Sequence, residues 1–289
     1  MATTQAALTQ PLRDQALLAD AKPHRRVDAF FLLGVAIALG AALVGIRATG
    51  VSLGYFLQPT GAVIVLGGTL GVILVTTPRS SLLHAFQRLR ELVSAQEINR
   101  EELIDEIIHY ARITRRGGLL AVDSLIPQVK HPFLADALQL AMDVSNRGEL
   151  QALLETELRM RERQGESDAK VLETAGGFAP TIGIIGTVVG LIDVMRQFSN
   201  LQSVGFGIGT AFVSTIYGLA LANLLLLPAA HRIRARVAEN FEIQELIIEG
   251  VLSIVDTVHP ALIRTRLSSF VRGPKEQYGV APGSETHAA

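Results

Sequence analysis

The sequence predicts an all-α membrane protein: four transmembrane helices, a large helical cytoplasmic domain between helices 2 and 3, and a helical cytoplasmic C-terminal segment. Three observations predict it. Apolar residues make up 49% of the 289 and are bunched into four charge-poor runs, each close to the roughly 20 residues that cross a hydrocarbon core. Charge gathers between the second and third runs, where apolar positions recur at helical spacing. Basic residues flank the runs mainly on one side, which orients them.

Residues 1–26 are polar and mixed, and read as a cytoplasmic N-terminal tail. A secretory signal would place its apolar core within this stretch, so no cleaved signal is expected. Residues 27–77 hold spans one and two, Val27–Ile46 and Gly61–Thr77. Residues 78–173 form the cytoplasmic helical domain. There Leu103, Ile104, Ile107, Ile108 and Ala111 make one apolar helix stripe. Residues 174–230 hold spans three and four, Thr174–Met195 and Phe206–Ala230. Residues 231–270 return to a helical pattern, and the polar 271–289 tail is expected to be disordered.

Lys22, Arg25 and Arg26 precede span one; Arg79, Arg88 and Arg90 follow span two; Arg232, Arg234 and Arg236 follow span four. The two opposite loops hold only Arg47 and Arg196. Both termini and the insert are therefore expected in the cytoplasm.

Composition narrows the function. With 26 Lys and Arg against 27 Asp and Glu, the chain carries no general footprint for nucleic acid. It has no cysteine, which removes disulfides and thiolate chemistry. There is no GxxxxGK[ST] and no HExxH, and His84, His109, His131, His231 and His259 lack metal spacing. GFGIGT, Gly205–Thr210, is a fragment of a dinucleotide fingerprint but runs into a span.

The spans themselves are more informative. Small residues let helix backbones approach closely in lipid. Gly34, Ala38, Ala41 and Gly45 share a face of span one. Gly183, Gly186, Thr187 and Gly190 do so in span three, and Ala211, Ser214, Thr215, Gly218 and Ala222 in span four. Three such seams in four helices imply an assembly of several chains. Thr187 and Thr215 fall near mid-membrane, where a hydroxyl either bonds its own i−4 carbonyl or lines a polar path. Pro180 and Pro228 lie near the cytoplasmic leaflet, where each frees a carbonyl and allows a bend. No span carries a carboxylate, lysine or histidine at mid-depth, and Asp193 belongs near the outer face. Ion translocation normally needs a buried titratable group. If this chain conducts ions, another subunit should bring it.

ETAGGFAPTIGIIGTVVGLIDVM and GIGTAFVSTIYGLALANLLLLP resemble spans three and four of the flagellar stator proteins of the MotA/PomA branch, within the MotA/TolQ/ExbB proton channel family. LQPTGAVIVLGGTLGVIL, RRGGLLAVDSLIPQVKHPF and IIEGVLSIVDTVHPALIRTRL extend the resemblance over most of the chain. It implies a multi-pass inner-membrane protein, not an enzyme, without a cofactor. A pentamer would surround a dimer of a MotB-like subunit that supplies the ion-carrying aspartate. Passage of H+ or Na+ would turn the pentamer against the rotor protein FliG.

By the same resemblance Thr187 and Thr215 line the ion path, and Pro180 and Pro228 are the conformational prolines. Arg115 or Arg116, with Asp123, would meet the rotor. Ser124 and Ile126 stand where the family commonly has acids. The scarcity of further oxygen-bearing side chains in the spans favours protons over sodium. An ExbB/TolQ-type energiser of another membrane machine is the alternative. Such relatives have three spans and an outer N-terminus.

Overall fold

A computed structural model of the chain describes residues 26–27, 29–92, 94–95, 98–196 and 201–271. The expectations for residues 1–25 and 272–289, including the two tails, lie outside the described residues. Nearly everything described is helix. A two-residue antiparallel pairing of Arg26–Val27 with Ser94–Ala95 is the exception, so Val27 precedes the first helix rather than opening it.

Helix α1 covers Ala29–Ala48, and a short 3₁₀ turn at Leu53–Phe56 leads into α2, Pro59–Thr76. Pro59 suits the first position of α2, because the backbone N–H it lacks would have no helical partner there. Next come α3 (Arg79–Leu92) and α4 (Arg100–Gly117). Asn99 caps α4 by accepting from the Glu101 N–H at 3.1 Å, and Gly118 ends it at φ 80°. A 3₁₀ segment, Leu119–Gln128, joins α4 to α5, Pro132–Asp143.

Two very long helices follow. The first, α6, runs unbroken from Arg147 to Arg196, 50 residues or about 75 Å at 1.5 Å per residue. The second comprises α7 (Leu201–Ala220), a π-helical turn at Leu221–Leu226 and α8 (Leu227–Val255). Helix α9, Pro260–Ser268, is the last helix among the described residues.

Three helical stretches are long and apolar enough to cross a membrane: Leu53–Thr76, Arg147–Arg196 and Val204–Val255. Leu33–Ala48 is a shorter apolar helix. Their outward faces show why water does not suit them. Val63, Leu70, Val75, Ile184, Val188, Ile192, Phe212 and Leu219 are all exposed in the single chain. So long an apolar belt requires lipid or neighbouring subunits to cover it.

The charged half has an apolar core of its own. Leu103, Ile104, Ile107, Ile108 and Ala111, the stripe expected from spacing, are buried on α4. They meet Phe133, Leu134 and Leu138 of α5, Leu150 and Leu154 of α6, Leu246, Ile247 and Ile254 of α8, and Ile263 and Leu267 of α9. The insert and the C-terminal helices, two separate blocks in the sequence, thus share one core. Residues 173 and 230 both lie inside continuous helices, since α6 and the α7–α8 helix each run from the apolar seam into this core.

Candidate functional site

The site is built where α6 and α7 touch. Their small residues meet in antiparallel register. A Cβ placed on Gly190 would stand 2.7 Å from the Ala211 nitrogen and 2.9 Å from its Cα. One on Gly186 would stand 2.6 Å from the Ser214 Cβ, and one on Gly183 3.0 Å from the Ser214 carbonyl oxygen. Across the seam, a Cβ on Gly218 would lie 2.5 Å from the Ala179 oxygen. These positions admit hydrogen and nothing larger, so two backbones come close enough for polar groups of both helices to converge. Ala222 is fully buried at the start of the π-helical turn.

Helix α2 closes the third side. A Cβ on Gly61 would meet the Ser214 Oγ at 2.6 Å, and one on Gly68 the Ile182 Cγ2 at 2.7 Å. The seams expected to join chains are therefore used within one chain for spans three and four. Backbone approach over several turns consumes both faces. On span one the outcome differs, since Gly34, Gly40 and Gly45 have nothing within 4 Å of an added Cβ.

Within this seam the Thr187 and Thr215 hydroxyl oxygens are 2.5 Å apart. Thr187 Oγ1 also lies 3.2 Å from the Gly183 carbonyl oxygen and 3.1 Å from that of Ala211. Each hydroxyl has one proton to give and lone pairs to receive with, so the pair and the two carbonyls form a cluster of four oxygens. Both threonines are half-buried, with one side open. Side-chain composition showed two of these oxygens; the backbone adds the others. The scarcity of oxygen that favoured protons thus holds for side chains only. An oxygen cluster of this kind can orient water or replace part of a cation's hydration shell.

Pro180 and Pro228 are treated differently by the fold. Helix α6 continues through Pro180. At Pro228 the strain is met upstream by the π-helical turn, whose Leu227 N–H reaches the Ala222 carbonyl. The two prolines are offset along α6. Pro180 follows Ala179, which meets Gly218, whereas Leu227, next to Pro228, fills the space over Gly176. The expected pair of bends at one depth becomes one continuous helix facing one π-helical turn.

Three polar arrangements and one backbone irregularity, the fourth feature here, were not anticipated. Gln58 is buried and accepts from Thr210 Oγ1 at 3.1 Å, while its backbone N–H donates to the Tyr217 hydroxyl at 3.3 Å. Tyr217 in turn donates to the Phe56 carbonyl. This pins the 3₁₀ turn onto α7. A polar residue beside the α2 proline was the available signal. Farther along, Arg234 of α8 grips Glu173 of α6 through two hydrogen bonds of 2.6 and 2.7 Å. Asp168 is buried at 1% exposure, accepting from Gln164 at 2.9 Å with Arg88 Nε at 3.6 Å. The π-helical turn is the fourth, and periodicity cannot reveal one extra residue per turn.

Arg115 and Arg116 end α4 and are exposed. Asp123 is exposed on the 3₁₀ segment. They lie at the charged end of the molecule, far along the chain from Thr187, and belong to a separate surface.

A bundle of long apolar helices, continuous with a charged helical domain, defines a polytopic membrane protein. Two family models match consecutive parts of the chain: motility protein A N-terminal over residues 32–117, and the MotA/TolQ/ExbB proton channel family over residues 126–245. The chain belongs to the MotA/TolQ/ExbB proton channel family, in its motility protein A branch. It is 28% identical to motility protein A of Bacillus subtilis (strain 168) over 246 residues, 85% of this chain and 91% of that one. The C. jejuni MotAB structure matches with TM-score 0.79 at 25% identity, covering 86% of this chain and 97% of that one. The flagellar MotAB stator complex from Bacillus subtilis matches with TM-score 0.77 at 28% identity, covering 87% and 98%.

Proposed function

We infer that the chain is the ion-conducting stator subunit of a flagellar motor, converting ion-motive force into torque. The observation that carries this is the Thr187–Thr215 hydroxyl pair in a seam of glycines, within spans that hold no carboxylate, lysine or histidine at mid-depth. Such a path conducts only when a partner supplies the carboxylate. The solved relatives are MotAB complexes, so that partner is a MotB-like subunit bound to several copies of this chain, five on our reading.

In this reading α1 is the first of four spans, and both termini and the charged domain lie in the cytoplasm, in keeping with the flanking arginines. Thr187 and Thr215 line the path for H+ or Na+. Pro180 and the Pro228 turn let α6 and α8 move against each other. The continuous α6 carries that motion to the core beneath, and Arg115 or Arg116 with Asp123 face the rotor protein FliG.

Deletion of the gene tests the reading. Cells should assemble normal flagella and not turn them, and a plasmid copy should restore swimming. Intact swimming in a host without a second stator set would overturn it. Swimming speed measured against external sodium, with and without a protonophore, distinguishes the two ions.

A further inference from the structure

Only Thr77 and Pro78 separate the end of α2 from the start of α3. The other end of α3 returns to the same level. Leu89 packs against Ala169, Leu172, Ala229, Ala230 and Ile233, where α6 and α8 pass between apolar and charged sequence. Beyond it, Ser94–Ala95 pair with Arg26–Val27, just before α1. The 14 residues of α3, about 21 Å of helix, are thus held at both ends to one plane, the surface where the apolar belt stops.

At about 100° per residue, Arg79, Leu83, Phe86 and Arg90 fall within about 60° of one another. All four are exposed, Leu83 at 65% and Phe86 at 70%. The opposite side of α3 is turned to the protein. There Arg88 Nε stands 3.6 Å from the buried Asp168 carboxylate, and His84 Nδ1 3.2 Å from the Gln164 amide nitrogen, both on α6. The exposed stripe therefore points away from the charged part of α6. Folding leaves it unexplained. Two large apolar side chains gain nothing from water, and a cation in the first turn, Arg79, opposes the helix dipole. Among the described residues neither Arg79 nor Arg90 has an ion-pair partner.

We propose that α3 lies along the membrane surface and binds anionic phospholipid headgroups through Arg79 and Arg90, with Leu83 and Phe86 sunk between them to the acyl boundary. The proposal rests on the reading that α2 spans the membrane and ends at that surface near Thr76. Continuity with the surface selects the occupant. An apolar pair with a basic residue at each end matches a plane of phosphates over hydrocarbon, whereas a second copy of the chain would have to bring carboxylates to both ends. Arginine stems can lie along apolar surface while the guanidinium groups reach phosphate oxygens and hold them by paired hydrogen bonds. Basic residues beside an anionic leaflet and an apolar face at its boundary both add to the attraction. Through Arg88 and Asp168 the same helix touches α6, so α3 joins the leaflet to the helix that carries Thr187.

The chain has no tryptophan, so Phe86→Trp adds one reporter to the full chain assembled with its MotB-like partner, and the parent complex serves as the blank. The complex is reconstituted in vesicles of phosphatidylcholine and phosphatidylglycerol in equal parts, with one lipid or the other brominated on its acyl chains. The added fluorescence should be quenched. The quenching constant should be about fivefold larger for brominated phosphatidylglycerol, the preference that one arginine beside the surface confers. Adding Arg79→Gln and Arg90→Gln should bring the two constants together, whereas Arg79→Lys and Arg90→Lys should keep them apart. Leu70→Trp, at an exposed position on α2, is the control for the span. Quenching there but not at position 86 would mean that protein covers the stripe, and the proposal falls. Equal quenching by the two lipids at position 86, or a preference that survives the glutamine substitutions, would overturn the headgroup assignment. Absence of quenching at both positions would bring down the span reading itself.

Discussion

The hydroxyl oxygens of Thr187 on α6 and Thr215 on α7 lie 2.5 Å apart, with the Gly183 and Ala211 carbonyls beside them. Two helices contribute one side-chain oxygen and one backbone oxygen each. Four oxygens can converge there because Gly183 and Gly190 let the backbones come together.

Removing one hydroxyl without changing shape isolates that role. Thr187→Val should lower ion flux sharply while changing stability by only about 1 kcal/mol, the net worth of a typical hydrogen bond. Thr187→Ser should keep most of the flux. Proton or sodium influx into cells expressing the stator with its partner is the measurement, alongside membrane levels of the complex. Equal flux in Thr187→Val and the parent would remove this hydroxyl from the path.

The seam is sensitive to a single methyl group. Gly190→Ala places its Cβ against Ala211 backbone atoms at 2.7 and 2.9 Å, which cannot rotate away. Overpacking of this kind costs about 1–3 kcal/mol. Gly71→Ala meets nothing within 4 Å and serves as the control. Thermal unfolding in detergent should show a lower Tm for the first variant and none for the second.

Asp193 lies toward the far end of α6 from the charged domain, and it is half-buried with a polar partner. A carboxylate supplied by a MotB-like subunit would make it dispensable for translocation. Asp193→Asn should therefore reduce ion flux moderately and leave swimming detectable. Complete loss of flux in a stably assembled variant would place the titrating group on this chain instead.

Pro228 and the π-helical turn before it form one unit. Pro228→Ala supplies a backbone N–H to the carbonyl four residues back and should favour an α-helical path through Leu221–Leu226. Amide exchange across that segment should slow, and torque should fall more than ion flux. Unchanged exchange would mean that the turn is held by neighbours such as Gly176, not by the proline.

His131 gives the charged domain a pH dependence. Burial first, and the Arg161 guanidinium next, hold its imidazole below the ordinary histidine value, and its Nδ1 is buried without a partner. The unfolded chain takes up a proton near pH 6.5, before the folded one does. Stability therefore rises with pH across that interval and is lost as pH falls below about 6.5. His131→Asn keeps a residue suited to the N-cap of α5 and should flatten the decline. Tm values at pH 7.5 and pH 5.5 measure it, and identical slopes in variant and parent would exclude His131 as the source.

Much of this architecture is legible in the chain. The stripe Leu103, Ile104, Ile107, Ile108 and Ala111 lies buried as its spacing requires, because a helix that presents one apolar face has one way to bury it. The glycines of span three and the small residues of span four were visible as seams, but not the fact that they face each other. Gln58, Asp168 and the Glu173–Arg234 clamp were hidden for a related reason. Each pairs residues far apart in the chain, and single polar side chains near an apolar run carry no sign of their partners.

By itself the sequence determined what depends on local composition: apolar runs that seek lipid, helix stripes that seek a core, and hydroxyls in place of carboxylates at mid-depth. Tertiary structure decided how these are used. It matched Gly190 to Ala211 and Gly183 to Ser214, brought two carbonyls to the threonine pair, and drew α9 against α4 in one shared core. The physical reason is range. Partition between water and lipid acts residue by residue along the chain, whereas close approach depends on which distant backbones lack the side chains that would keep them apart.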